Sequence, residues 1–164
     1  MIEIRKFKLS DIDTSYLTWL NNKRLMRFSR HSKKKFTKKI AIDSYKKIKK
    51  GKNLFLLAYL RNKKTENKIG TLIGYTDKLN QSCNLGILIS KQGKGYGFTV
   101  WKMAISYIFN KGYKSIIAGT LTTNQAMVKI FKKSGMKLLI KKKVYYENFK
   151  KIRVHFVVHT IALQ

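Results

Sequence analysis

The sequence predicts an α/β fold: a mixed sheet, mostly antiparallel in its front half, with one β-α-β crossover behind it. Three observations carry this. Strand-like runs between positions 54 and 89 are separated by short polar turns, as in hairpins. Across Lys91–Gly97 the hydrophobic period changes from two to about 3.6. The 164 residues contain no proline and no linker-like, serine-rich or repeated segment, so positions 1–164 read as a single domain. A chain of this length buries roughly 70% of its unfolded surface, and 44% hydrophobic and 12% aromatic content supply the core.

Ile2 to Leu9 alternates apolar with polar and opens the chain as a strand. Ser10-Asp11-Ile12-Asp13 is a helix start, with acids where the dipole favours them. Tyr16, Leu17, Trp19 and Leu20 give a short helix ending near Asn21-Asn22, and a basic loop covers Ser29 to Thr37. Thr37 or Lys38 opens a second helix with Ile40, Ala41, Ser44, Tyr45 and Ile48 on one face, stopping at Gly51. Strands follow at Leu54–Leu60, Ile69–Thr76 and Cys83–Ile89. After the glycine loop, Phe98, Trp101, Ala104, Ile105, Ile108 and Phe109 line a helix capped by Gly112. Ser115–Leu121 is a strand. Thr122-Thr123-Asn124 caps a helix that Ser134-Gly135 ends, and strands around Met136–Lys141 and Ile152–Ile161 close the chain. The predicted order is β-α-α-β-β-β-α-β-α-β-β.

The net charge is +30, from 31 Lys and 6 Arg against 7 acids. Arg, the better phosphate clamp, is scarce. Compositional drift, suggested by the Ile- and Asn-rich, proline-free mix, and selection for an anionic partner account for the charge equally well. Either way the field draws anions at low salt, and nucleic acid binding is expected only as a non-specific electrostatic effect. One cysteine, Cys83, and three scattered histidines exclude an internal disulfide and a structural zinc site, so no metal is expected. The N-terminus has no apolar signal region and no apolar run nears the ~18 residues of a membrane span. A cytoplasmic location is expected.

Lys91-Gln92-Gly93-Lys94-Gly95-Tyr96-Gly97 lies between a strand and a helix. In that context backbone N–H groups converge on an anion and the helix dipole adds to the attraction; the alternative is a plain turn. A Walker A loop fails for want of Gly-Lys-Ser/Thr, and a dinucleotide fingerprint fails on glycine spacing and on its missing acid. Lys94-Gly95-Tyr96-Gly97-Phe98 matches the start of an RNA-binding signature, but that signature belongs on a strand, and Phe98 to Phe109 has helical period.

Gln92-Gly93-Lys94-Gly95-Tyr96-Gly97 does satisfy Gln/Arg-x-x-Gly-x-Gly/Ala, and here the chain resembles the GNAT acyltransferases, which move acyl groups from coenzyme A to amines. Asn124-Gln125-Ala126-Met127-Val128-Lys129-Ile130-Phe131-Lys132-Lys133-Ser134-Gly135-Met136 is similar to that family's Asn-x-x-Ala-x-x-Leu-Tyr-x-Lys-x-Gly-Phe segment. Tyr16-Leu17-Thr18-Trp19-Leu20-Asn21-Asn22, followed by Arg27-Phe28-Ser29-Arg30-His31, resembles the branch of ribosomal-protein and amino-sugar-nucleotide N-acetyltransferases.

The resemblance implies a sheet splayed at its central strands and acetyl-CoA as cofactor. Gln92, Gly93, Lys94, Gly95, Tyr96 and Gly97 would wrap its pyrophosphate, and Ile87, Leu88 and Ile89 would pair with the pantetheine arm. Lys91 and Lys94 would meet phosphate charge, and Asn124 and Phe131 would approach from the following helix. It also implies direct attack of a neutral amine on the thioester, with a backbone N–H near Ile87 or Leu88 polarising the carbonyl. The acceptor it suggests is an anionic amino-sugar nucleotide met by Arg27, Arg30, His31 and Tyr145. A protein N-terminus is the second option, and a catalytically silent basic domain that binds nucleic acid is the third. A homodimer is compatible with all three.

Two positions depart from the family pattern. Phe131 replaces the tyrosine that serves many relatives as general acid, and Asn84 falls where an acid is common. The catalytic candidates are therefore His31, whose ordinary pKa suits a base, and Asp77, an acid between strands. His155 reads as structural, His159 is left open, and Cys83 reads as a core residue.

Overall fold

The structure, a computed structural model, describes residues 1–62, 65–146 and 149–159. Seven strands form one sheet in the order β1-β2-β3-β4-β5-β7-β6. The strands are β1 (Ile2–Lys6), β2 (Leu54–Arg61), β3 (Glu66–Asp77), β4 (Ser82–Ile89), β5 (Ser115–Leu121), β6 (Lys137–Tyr146) and β7 (Phe149–His159). The helices are α1 (Thr14–Asn21), α2 (Lys23–Met26), α3 (Lys38–Lys50), α4 (Tyr96–Phe109) and α5 (Gln125–Lys133). The predicted order holds with two additions. A 3-10 turn at Leu9–Asp11 ends β1 early, and α2 follows α1 directly because Asn22 caps both, its side chain accepting from Leu25 N–H at 3.0 Å.

Three further helix starts, those of α1, α3 and α5, sit where the capping chemistry places them. Asp13, Thr37 and Asn124 each accept from a backbone N–H of the first turn. At the end of α3, Gly51 keeps an ordinary φ of −72°, and it is Lys52 that turns left-handed at +55°. β6 runs on past Lys141, so Tyr145 and Tyr146 end it instead of lying between strands, and β7 starts at Phe149, before the expected Ile152; positions 160 and 161 of the expected strand lie outside the described residues.

Each face of the sheet has its own apolar cluster. On one face α4 and α5 cover Leu56, Leu72, Cys83, Leu85, Ile116, Phe156 and Val158, with Trp101 fully buried among them. On the other, α1 and α3 cover Phe55 and Leu57, and Phe7 stacks on Phe55 at 4.0 Å. This second layer covers only the β2–β3 side. On the same face, Tyr75, Asn84 and Gly86 stay exposed.

That face carries the feature which positions the site. β4 and β5 are parallel and pair only at Ser82↔Ser115, Cys83↔Ile116 and Asn84↔Ile117. Beyond those residues β4 continues on β3 to Ile89, while β5 continues on β7 to Leu121. The sheet therefore splits into two arms, as expected of a splayed centre. Along β4 every second residue turns its backbone N–H and C=O away from β3. Past Asn84 those groups open into the split.

Candidate active site

The cradle at the mouth of the split is built from backbone. β4 ends at Ile89, and Gly95, at φ +74°, caps α4, while Gly93 has φ +77°. A side chain at either position would strain the turn, so the two glycines permit its path. Gly95 offers no side-chain cap, and among the described residues the N–H groups of Gln92, Gly93, Lys94 and Gly95 donate to no protein acceptor. Free N–H groups at the start of a 14-residue helix make an anion site. Lys91 and Lys94 are exposed beside it. Tyr96 and Gly97 begin the helix; Tyr96 packs half-buried against the core, and a Cβ at Gly97 would sit 3.2 Å from Ile130.

Ile87 and Ile89 face the α4 side, where they pack against the core, and half-buried Leu88 faces the opposite side. Their backbone, not their side chains, lines the split. Asn124 is largely committed elsewhere. Its amide oxygen accepts from Met127 N–H at 3.3 Å and its amide nitrogen donates to Thr120 Oγ1 at 3.0 Å, which leaves one N–H for another partner. Phe131 is 1% exposed, wedged between Trp101 and Phe156 with ring centroids 5.2 and 5.3 Å away. It is a core residue with no surface left for a ligand, which corrects its assignment to the cofactor.

The two catalytic candidates are not brought together. Asp77 ends β3, paired with Ser82 at the closed end of the split. Gly86 lies four residues further along β4, about 13 Å at the usual strand rise. The Asn80 side chain, with its backbone N–H, holds the Asp77 carboxyl below its ordinary pKa. Asp77 is thus an ionised turn residue remote from the opening, not a base within it. His31 is exposed on the α2–α3 loop, its ring edge-on to Phe36 at 6.3 Å, and Arg27 and Arg30 are exposed on the same segment. Tyr145 is placed by its backbone alone, opposite Lys150 near the β6–β7 turn.

A group that sequence reasoning treated as structural faces the opening instead. Gly119 stands two residues past the last β4–β5 pair, level with Gly86 on the other arm. His155 is its partner on β7. A Cβ at Gly119 would lie 2.5 Å from the His155 ring and 3.0 Å from Arg153 Nε, so this glycine makes room for both side chains. Arg153 donates to the Gly119 carbonyl at 2.8 Å. Burial, and then the charges of Arg153, Lys142 and Arg30, hold the His155 imidazole below its ordinary pKa, so the ring is neutral at pH 7. The alternation of Arg153 and His155 with Val154, Phe156 and Val158 was the available signal for a polar face. His159 is exposed at the other end of the strand, opposite Ser115. Cys83 is buried as expected, and burial pushes its thiol up to about 12.

Residues 2–137 match the family model for the acetyltransferase (GNAT) domain. The chain belongs to this family, and it is an acetyl-CoA-dependent N-acetyltransferase of GNAT type. Its fold is similar to the spermidine N-acetyltransferase from Vibrio cholerae in complex with CoA and spermine, at 15% identity and TM-score 0.87, over 99% of this chain and 98% of that one. It is also similar to the ribosomal L7/L12 alpha-N-protein acetyltransferase RimL in complex with coenzyme A, at 15% identity and TM-score 0.85, over 98% and 95%. An N-acetyltransferase from Staphylococcus aureus Mu50 aligns at 17% identity and TM-score 0.79, over 97% and 98%. A search of the curated proteins finds no match.

The residues present fit coenzyme A: free N–H groups and lysines at the loop suit its phosphates, and the unpaired edge of β4 suits the amides of its arm. When bound, acetyl-CoA supplies an activated acetyl thioester. The chain's own part would then be to fix that ester against the split, offer β4 N–H groups where carbonyl charge develops, and align the amine. Among the described residues there is no group of three metal-ligating side chains and no helix long and apolar enough to cross a membrane.

Proposed function

We propose that the protein acetylates the amino group of a small anionic acceptor, an amino-sugar nucleotide, with His31, Arg27 and Arg30 contributing to its recognition. One observation supports this most directly: the opening between the arms is lined by bases and is poor in acids. From Lys78 onward the sequence holds one acid, Glu147, which lies outside the described residues, against 16 Lys and Arg. The four acids Glu3, Asp11, Asp13 and Glu66 are drawn into ion pairs on the β1–β3 side of the sheet. A polyamine would meet repulsion in such an opening; a diphosphate would meet attraction.

With Phe131 buried and Asp77 remote, placement and backbone polarisation carry the chemistry on this reading. The likeness to RimL favours a second reading, an acidic protein N-terminus entering the same opening. A three-way assay decides: acetyl transfer to a panel of UDP- and dTDP-linked amino sugars, to spermidine, and to a peptide with an acidic N-terminus. Turnover on a sugar nucleotide is expected. Turnover confined to the peptide or to spermidine overturns the proposal.

A further inference from the structure

Four basic side chains from three separate elements meet on the open face of the sheet beside Gly119. Register places three of them. His155 pairs with Gly119 on one side and Ile140 on the other, while Arg153 pairs with Leu121 and Lys142. Paired residues, and residues two apart on a strand, share a face. His155, Arg153 and Lys142 therefore project from the face that α1 and α3 leave open. Arg30 reaches the same place from the α2–α3 loop, close enough for its charge to bear on the His155 ring.

Three features set this cluster apart from the general positive charge of the surface. His155 Nδ1 is buried and makes no hydrogen bond among the described residues; such a group calls for a partner. Arg30 and Lys142 make no ion pair among the described residues. Gly119 brings Arg153 and His155 against the β5 backbone, an approach that any side chain there would block. Arg30 and Lys142, held beside a buried polar atom, repel one another unless something negative binds between them.

We infer that Arg30, Lys142, Arg153 and His155 form an anion subsite that takes the phosphate of the acceptor, distinct from the glycine loop that takes the phosphates of coenzyme A. The inference rests on the reading of an anionic acceptor and assigns the residues that select it. Gly119 lies on the arm opposite β4, so phosphate bound there leaves the amine of the same molecule free to reach the split from the α1–α3 face. Arg153 supplies the planar fork, already oriented by its bond to the Gly119 carbonyl, and Lys142 and Arg30 supply point charges. These are binding and specificity residues, so their loss falls on acceptor KM and leaves kcat in place.

The test titrates UDP into protein already saturated with coenzyme A, so that the glycine loop is filled, at 0.15 M salt. The variant is Arg30→Gln/Lys142→Gln, both exposed positions that the fold tolerates, and the control of equal charge change is Lys46→Gln/Lys50→Gln on α3. The cluster variant is expected to bind UDP about tenfold more weakly, as loss of charge-assisted contacts implies, with the control within about twofold of the parent. Equal weakening in both pairs overturns the subsite, because the overall field then does the binding. Weaker coenzyme A binding in the cluster variant, with dephospho-CoA unaffected, overturns it too, because the cluster would then hold the cofactor's 3'-phosphate. Cluster-dependent UDP binding by a protein that acetylates no sugar nucleotide supports the subsite and sinks the proposed reaction alone.

Discussion

The two arms of the sheet treat charge in opposite ways. In the β1–β4 arm, carboxylates and bases are matched. Arg5 donates two hydrogen bonds of 2.8 Å to Asp11, whose side chain is 5% exposed, and another of 2.8 Å to Glu66. Lys68 bonds Asp13 at 2.6 Å, and Arg61 meets Glu3 at 3.0 Å. These pairs tie β1, the 3-10 turn, the start of α1 and β3 into one corner. In the β5–β7 arm the bases Lys142, Arg153 and His155 gather instead on an open face. The first arm uses charge to hold the fold; the second, on the inferred subsite, presents part of its charge to a ligand.

The sharpest way to break this contrast is at the loop on the β4 side. Gly95→Val puts a β-branched residue at φ +74° and turns N–H groups away from the phosphates. At about 1.5–3 kcal/mol for each charge-assisted bond, acetyl-CoA binding should weaken on the order of 100-fold, with acceptor binding unchanged. Calorimetric titration of both ligands checks the asymmetry.

Next in size is the paired corner. Asp11→Ala leaves Arg5 without its main partner and should cost about 3 kcal/mol, a drop in Tm on the order of 10 °C for this size. Coenzyme A affinity should not move once the protein is folded. A variant as stable as the parent would mean that the corner is ornamental.

Acid should find the same arm first. Burial pushes the Asp13 carboxyl up, but the hydrogen bond from Lys68, with those from Tyr16 N–H and Ser15, outweighs it and brings it down to about 2. Asp11 is lowered as well, since the bonds from Arg5 and Lys8 N–H exceed the effect of burial. Carboxyls depressed in the folded state stabilise it above their unfolded value near 4. That contribution is lost as pH falls from about 4 towards 2. Urea midpoints across this range should fall in the parent and fall less in Asp13→Asn, where the Asp11 contribution remains.

Smaller effects separate the β5 side from the turn. Gly119→Ala would push the His155 ring and Arg153 from their places, and about 1.4 kcal/mol of lost contact raises acceptor KM roughly tenfold with kcat little changed. Asp77→Asn should leave kcat within about twofold of the parent, as an exposed turn residue would. A collapse of kcat there would restore Asp77 as a catalyst.

Much of the glycine loop was legible because it is written in backbone conformation. Gly93 and Gly95 are residues that allow positive φ, and they stand two positions apart in the chain, where the hydrophobic period changes. Asn124 was legible as a helix cap for the same local reason. Phe131 misled because its place in a motif says nothing of burial, and the aromatic partners that enclose it, Trp101 and Phe156, lie in other elements. Asp77 was nominated for its chemistry. The distance that disqualifies it depends on where β4 parts from β5.

What the sequence determined by itself is what depends on near neighbours. The order of strands and helices, their caps, the glycine loop and the family all follow from residues within about a turn of one another. What only the tertiary structure decided is which distant side chains share a space. Arg30, Lys142, Arg153 and His155 are up to 125 positions apart, and nothing local in any of them marks a site. They meet because β5 turns away with β7 past Ile117, because the register sets Lys142 beside Arg153, and because α3 stops short of covering that face. Pairing registers and strand divergence are settled by packing across the whole sheet, where no single stretch of chain can specify them.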